Sequence, residues 1–142
     1  MKKTTKILLF ALIPVILIQF VPVNRENPPV DNNLAFSAPD EVMAILKNSC
    51  YDCHSNETVW PNYSYIAPVS WLVAKDVKSG RHDLNFSEWN KMPEDEREHK
   101  KEEIIEEISR DTMPLPIYLI THSSASLTND QKLILKNWLT GR

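Results

Sequence analysis

The residues of this chain best suited to chemistry are two cysteines and a histidine in one short motif, CYDCH (residues 50–54). Cys50 and Cys53 are the only cysteines among 142 residues, and His54 follows the second directly. A CxxC pair by itself serves as a dithiol redox pair, as half of a zinc site, or as a disulfide in an oxidising compartment. The rest of the sequence must distinguish these uses.

Each of these uses lacks part of its usual context. A thioredoxin-type pair belongs to a βαβ unit, whereas a helical pattern precedes Cys50. A structural zinc ion takes four ligands, commonly from two close pairs, and no second Cys or His pair is present. A plain disulfide stays open but gives His54 no role. Covalent haem uses all three residues, because the thiols form thioethers with the porphyrin and His54 binds the iron as proximal ligand.

The sixth ligand of such an iron has several candidates. Those explained more simply by core packing, a solvated charged face or an unfixed connecting segment are Met43, His99, His82 and Met92. Met113 lies in DTMPLPIY (residues 111–118), after a helical pattern and beside prolines that stiffen the loop. We therefore predict Met113 as the distal ligand, with His122 or an open position as alternatives.

Aromatic residues cluster in the stretch that follows the motif. Their flat apolar rings suit the walls of a porphyrin site, although such clusters are equally typical of an ordinary core. The predicted haem-contacting residues are Trp60, Tyr63, Tyr65 and Trp71.

Three stretches in this order resemble the bacterial haem-binding domain family of small c-type cytochromes, over about residues 41–139. They are CYDCHSNETVWPNYSYIAPVSWLVAKDVKSGR, LNFSEW and MPLPIYLITHSSASLTNDQKLILKNWL. The resemblance implies one covalently attached haem c and an electron carrier rather than an enzyme. A His54/Met113 pair would raise the reduction potential, since thioether sulfur favours Fe(II). Two alternatives stay open: a haem-based sensor or small peroxidase with a displaceable sixth ligand, and a module in which the cysteines form only a disulfide.

The elements that position these residues have helical patterns. Apolar spacing and capping signals predict four helices, at 39–48, 68–80, 93–110 and 128–141. Gly80 is predicted to end the second helix in a left-handed cap. Two glycines in total and no alternating β-branched run argue against sheets. The predicted fold class is all-α, a small cytochrome c-like domain of about four helices around one haem.

An apolar segment precedes this domain. Residues 7–23 carry no charge and follow Lys2, Lys3 and Lys6, a positive flank typical of the cytoplasmic side of a membrane. The segment is near the lower limit of about 17 to 25 residues for a spanning helix. No small-residue cleavage site follows closely, which favours an uncleaved anchor over a cleaved signal. The sequence thus predicts a single-pass protein of the cell membrane with its C-terminal domain in the periplasm, or alternatively a protein secreted to the periplasm.

Composition completes the predicted organisation. Residues 1–23 are the anchor or signal, residues 24–37 an Asn- and Pro-rich linker, and residues 38–142 the haem domain. A net charge of -3 gives no basic footprint for nucleic acid. The acidic helix at 93–110 could steer a basic redox protein, whose identity the sequence does not give, or form an ordinary solvated face.

Overall fold

A computed structural model describes residues 3–141, without the side chains of residues 4–9, and within these residues it contains helices and no strand. The predicted all-α class is therefore confirmed. The α-helices are α1 (Lys3–Leu17), α2 (Asp40–Ser49), α3 (Tyr51–His54), α4 (Val69–Asp83), α5 (Glu94–Ser109), α6 (Pro116–Leu119) and α7 (Asn129–Leu139). Short 3₁₀ turns lie at Ile18–Phe20, Asn62–Tyr65, Phe86–Lys91 and Ser123–Ala125.

Local signals account for the long helices. Helix α2 begins with Asp40 and Glu41, whose charges favour a helix N-terminus. The capping box predicted for α7 is present: Thr128 Oγ1 accepts from Gln131 N at 3.2 Å, and Gln131 Oε1 accepts from Thr128 N at 2.9 Å. Helices α2, α5 and α7 thus lie within one or two residues of their predicted bounds.

Helix α4 departs from its prediction. It does not end at Gly80 but continues to Asp83, and Gly80 is a buried residue of its interior. The left-handed cap predicted at Gly80 is therefore wrong, and the reason for a glycine here lies in a neighbouring segment described below.

The core is an aromatic cluster closed by aliphatic residues of α2, α5 and α7. Phe36 is 5% exposed and makes edge contacts with Phe86, Trp89 and Trp138 at centroid distances of 5.3, 4.9 and 5.2 Å. Tyr51 stacks on Phe86 at 5.4 Å. Because Tyr51 belongs to the CYDCH motif, this core fixes the motif directly.

Residues 24–37, predicted as a linker, are bonded to the domain along their length. Phe36 N donates to Phe86 O at 2.7 Å. Asn27 Nδ2 donates to Thr58 O at 2.9 Å, and Arg81 of α4 donates to Asn27 Oδ1 at 2.6 Å. We call residues 24–37 the N-terminal strap. The absence of helical periodicity is consistent with the irregular structure of the strap, but it did not reveal that Phe36 is buried in the core.

The prediction of a membrane-spanning N-terminal helix is wrong. Among the described residues, no helix combines the length and the apolar character needed to cross a membrane. Helix α1 has 15 residues and ends at Leu17, and Gln19 just beyond it exchanges two hydrogen bonds with Ala67 at 2.9 and 3.1 Å. The single-pass placement in the cell membrane, which depended on that helix, is wrong with it. Lys2 of the predicted positive flank and the side chain of Lys6 lie outside the described part of the chain.

Candidate functional site

The CYDCH motif forms one helical turn. Cys50 O accepts from Cys53 N at 3.2 Å and from His54 N at 2.9 Å. Residues three and four apart share a face of a helix, so Cys50, Cys53 and His54 lie on one side while Tyr51 points into the core. In this helical turn the core residue Tyr51 therefore points away from the face that carries the three candidate haem-binding residues.

Backbone carbonyls fix the ring of His54. Its Nδ1 lies 3.0 Å from Gly80 O and 3.1 Å from Leu84 O. Both partners are acceptors, so Nδ1 carries the proton and Nε2 keeps a free lone pair, as a metal-ligating imidazole requires. Burial lowers the pKa of His54, which also favours the neutral ring.

Gly80 allows α4 to approach the motif closely. A Cβ atom at this position would lie 2.6 Å from Cys53 O and 3.1 Å from Cys53 Cβ. Any larger residue would push α4 away and move the Gly80 carbonyl that His54 contacts. This close approach explains a glycine inside a helix, where it otherwise costs about 1 kcal/mol relative to alanine.

The two cysteines are free thiols in an environment that suppresses ionisation. Burial raises the pKa of Cys50 to about 12 and that of Cys53 to about 11. Since the thiolate is the reactive form in thiol–disulfide exchange, these values disfavour a dithiol redox role.

Two contiguous cavities open in front of the motif. The central cavity, about 120 Å³, is lined by Cys50, Cys53 and His54 of the motif and also by Met113. The acidic cavity, about 540 Å³, shares Cys50, His54 and Met113 and extends along α5. The structure therefore brings the predicted distal residue to the same space as the three residues of the motif.

Carboxylates characterise the acidic cavity. Glu103, Glu106 and Glu107 of α5 line it. Two of the three, Glu103 and Glu106, pair with basic side chains of the same helix. Glu103 lies 2.7 Å from Lys100 and 3.1 Å from His99, and Glu106 lies 3.0 Å from Arg110. These (i, i+3) and (i, i+4) pairs are typical of a solvated helix face.

The residues before Met113 are tied to the end of α5. Glu107 O accepts from Thr112 N at 3.1 Å and from Thr112 Oγ1 at 2.9 Å. Asp111, with φ 57°, is also paired with Lys132 of α7. Met113 is thereby held at a helix exit, as the sequence context indicated.

A third cavity also borders Cys53. This apolar cavity, about 400 Å³, is lined mainly by aliphatic residues of α4 and of the segment after Met113, and Tyr63, Tyr118 and Asp52 also line it. Asp52, Cys53 and Tyr118 line the central cavity as well. The motif therefore stands between two spaces of different polarity.

The other predicted aromatic residues lie elsewhere. Trp60, Tyr65 and Trp71 line none of these three cavities. Tyr65 is 59% exposed and lies under Arg25 at 4.4 Å. Trp60 Nε1 is buried without a hydrogen-bond partner among the described residues. Of the four, Tyr63 alone has a position at a cavity wall, so a haem-wall role of the other three stays a prediction without geometric support.

The alternative iron ligands occupy other sites. His122 Nδ1 lies 3.3 Å from Tyr63 Oη, and its ring stacks on Tyr118 at 4.2 Å. It lines none of the three cavities. Met43 and Met92 pack against the core, whereas His82 and His99 are exposed. Of the candidate distal ligands weighed, Met113 is thus the one that lines the same cavities as His54.

Sequence reasoning missed four residues of this site: Ser49, Asp52, Gly80 and Tyr118. Ser49 Oγ is buried and unpartnered among the described residues, and Ser49 lines both the central and acidic cavities. A glycine within an apolar helical pattern is a usable signal of close approach. Asp52 and Tyr118 are 66 residues apart, and no local pattern connects them.

Comparison with known proteins assigns the chain to a family. No curated protein and no solved structure gives a significant match to this sequence. A model of the haem-binding domain family matches residues 13–141, which include the strap, the motif and Met113. The match spans most of the chain, and the chain therefore belongs to the haem-binding domain family.

Proposed function

We propose that this protein carries one covalently attached haem c, bound through Cys50 and Cys53, with His54 and Met113 as iron ligands, and that it transfers electrons. The observation that carries the proposal is that His54 and Met113 line the same two cavities, together with Cys50 in both and Cys53 in the central one. Membership in the haem-binding domain family supports the haem itself. Covalent attachment, iron ligation by Met113 and electron transfer are proposals that go beyond what family membership supports.

The residues of the cavities fit this group chemically. An imidazole with Nδ1 bonded to carbonyls has Nε2 free to bind iron, and the Met113 thioether of the same cavities would complete a His/Met set. The buried hydroxyl of Ser49 lacks a partner at the same wall, as expected where a ligand supplies one. When bound, a haem iron with these ligands supplies a one-electron couple of raised potential.

The chain's own groups favour electron transfer over catalysis. Two side-chain ligands leave no open iron position for a substrate. The fixed His54 ring and the anchored residues before Met113 limit rearrangement between oxidation states.

Attachment is tested by mass spectrometry of protein coexpressed with a haem c maturation system. The wild-type mass should exceed the sequence mass by one haem after denaturation. A Cys50→Ala, Cys53→Ala double variant should lose that increment. An unmodified wild-type mass, under conditions that mature a control cytochrome, would refute covalent attachment.

The distal ligand is tested with Met113→Leu and the matched control Met92→Leu, because Met92 packs in the core. Met113→Leu should abolish the weak long-wavelength band of methionine-ligated ferric haem and lower the reduction potential. Met92→Leu should keep both. If the band is unaffected by Met113→Leu, another residue is the distal ligand.

Carbon monoxide distinguishes a carrier from a sensor or peroxidase. Ferrous wild-type protein should resist carbon monoxide, whereas ferrous Met113→Leu should bind it. Rapid binding by the wild type would favour the alternative function with a displaceable sixth ligand.

A further inference from the structure

The segment that carries Met113 meets the CYDCH motif through one side-chain hydrogen bond. Tyr118 Oη donates to Asp52 Oδ2 at 2.7 Å. Asp52 lies between the two cysteines, and Tyr118 lies in α6, the short helix that begins at Pro116, three residues after Met113. Among the hydrogen bonds of the described residues, no other side-chain bond joins residues 111–119, here called the Met113 segment, to residues 50–54.

Other hydrogen bonds fix the position of the Asp52 carboxylate that accepts this bond. Its other carboxylate oxygen, Oδ1, accepts from Val59 N at 3.0 Å, and its carbonyl accepts from Thr58 Oγ1 at 2.7 Å. Thr58 is bonded in turn by Arg81 at 2.8 Å. The carboxylate therefore has a fixed position on the motif, and a bond to it restricts the partner strongly.

Tyr118 is fixed from its own side as well. Its ring stacks on His122 at 4.2 Å with 7° between the planes, and its N–H donates to Leu115 O at 2.9 Å. Burial and the Asp52 carboxylate both raise the pKa of Tyr118, so the phenol keeps the proton it donates. The stacking places the ring, and the hydroxyl connects it to the motif.

We propose that Tyr118 is a positioning residue that holds Met113 against the His54 cavity by its hydrogen bond to Asp52. This inference rests on the proposed function. The bonds of Thr112 to Glu107 anchor the Met113 segment before the ligand, and the Tyr118–Asp52 bond anchors it after the ligand. With both anchors in place, the thioether meets the iron in one orientation. Without the second anchor, the segment opens away from the motif.

The test compares Tyr118→Phe with the control Thr140→Val in the mature haem protein. Both changes remove one side-chain hydroxyl, but Thr140 is exposed at the end of α7, where its hydroxyl donates to Lys136 O at 2.9 Å. Tyr118→Phe should populate the open segment about 10- to 100-fold more, the effect of losing a hydrogen bond to a charged group. It should weaken the band of methionine ligation and speed carbon monoxide binding, and Thr140→Val should do neither.

Hydrogen exchange measured by mass spectrometry gives a readout independent of the iron. Peptides covering residues 111–119 should exchange faster in Tyr118→Phe than in Thr140→Val, with or without haem. Equal exchange in the two variants overturns the proposal. A wild type that lacks methionine ligation refutes the proposed distal ligand instead, and the exchange comparison still decides whether Tyr118 anchors the segment.

A double-mutant cycle tests whether the two groups act together. Asp52→Asn keeps the side-chain shape and removes the charge, so it should increase exchange of residues 111–119 in the same direction as Tyr118→Phe. Combining the two should add little, because they break one interaction. Fully additive effects would show independent roles and overturn the proposal.

Discussion

Replacing Gly80 by alanine tests the close approach on which the site depends. The added methyl carbon would lie 2.6 Å from Cys53 O, well short of an ordinary contact of 3.4 Å. The obstacle is backbone rather than the end of a flexible side chain. Helix α4 and the motif must therefore separate, and the carbonyls that hold His54 Nδ1 must move with α4.

The expected change in the free energy of unfolding combines two destabilising contributions and one stabilising contribution. Overpacking of a tight contact costs about 1 to 3 kcal/mol, and weakening the bonds to the imidazole costs about 0.5 to 1.5 kcal/mol. Alanine is favoured over glycine inside a helix by about 1 kcal/mol. The balance predicts that Gly80→Ala lowers the free energy of unfolding by about 0.5 to 3.5 kcal/mol, although a helix interior normally gains stability from this change.

Urea unfolding of the mature protein measures this difference. The pair Lys78→Gly and Lys78→Ala supplies the control, because Lys78 is exposed on the same helix. Between these two, alanine should be more stable by about 1 kcal/mol. If Gly80→Ala stabilises the protein by a similar amount, the close approach to Cys53 does not exist and the argument for Gly80 is refuted.

Three further predictions concern the thiols, the strap and α7. In haem-free protein near neutral pH, iodoacetamide should alkylate Cys50 about a thousandfold and Cys53 about a hundredfold more slowly than in urea, because burial raises their pKa values from 9.0 to about 12 and about 11. Equal rates by mass spectrometry would contradict the burial argument. Phe36→Ala should lower the free energy of unfolding by about 3 to 5 kcal/mol. Val30→Ala changes an exposed strap position and should lower it little. Similar losses in urea unfolding would mean that Phe36 is not a core residue. Thr128→Ala removes the capping box and should cost about 1 kcal/mol, and an unchanged urea midpoint would refute it.

The N-terminal residues illustrate where composition misleads. An uncharged run after lysines predicted a spanning helix, but that run includes Pro14 inside α1, and the helix ends at Leu17. Gln19 then bonds to Ala67, a residue distant in the sequence. The strap likewise has no helical period, yet Phe36 fills a gap between α7 and the turn containing Phe86. Whether an irregular segment packs depends on a complementary surface elsewhere, and a local pattern does not contain that information.

The sequence by itself determined helices α2, α5 and α7 and the spacing of the CYDCH motif, whereas the short helices α3 and α6 and the end of α4 were not predicted. Apolar spacing and the Thr128 capping box act between residues three and four apart, so their effects are local and readable. The same spacing places Cys50, Cys53 and His54 on one face of a turn. Tertiary structure alone decided what faces them: the carbonyls that orient His54, the glycine that lets α4 approach, and the bond from Tyr118 to Asp52. These contacts join residues 26 to 66 positions apart, and they exist only once the aromatic core has fixed the relative positions of the helices.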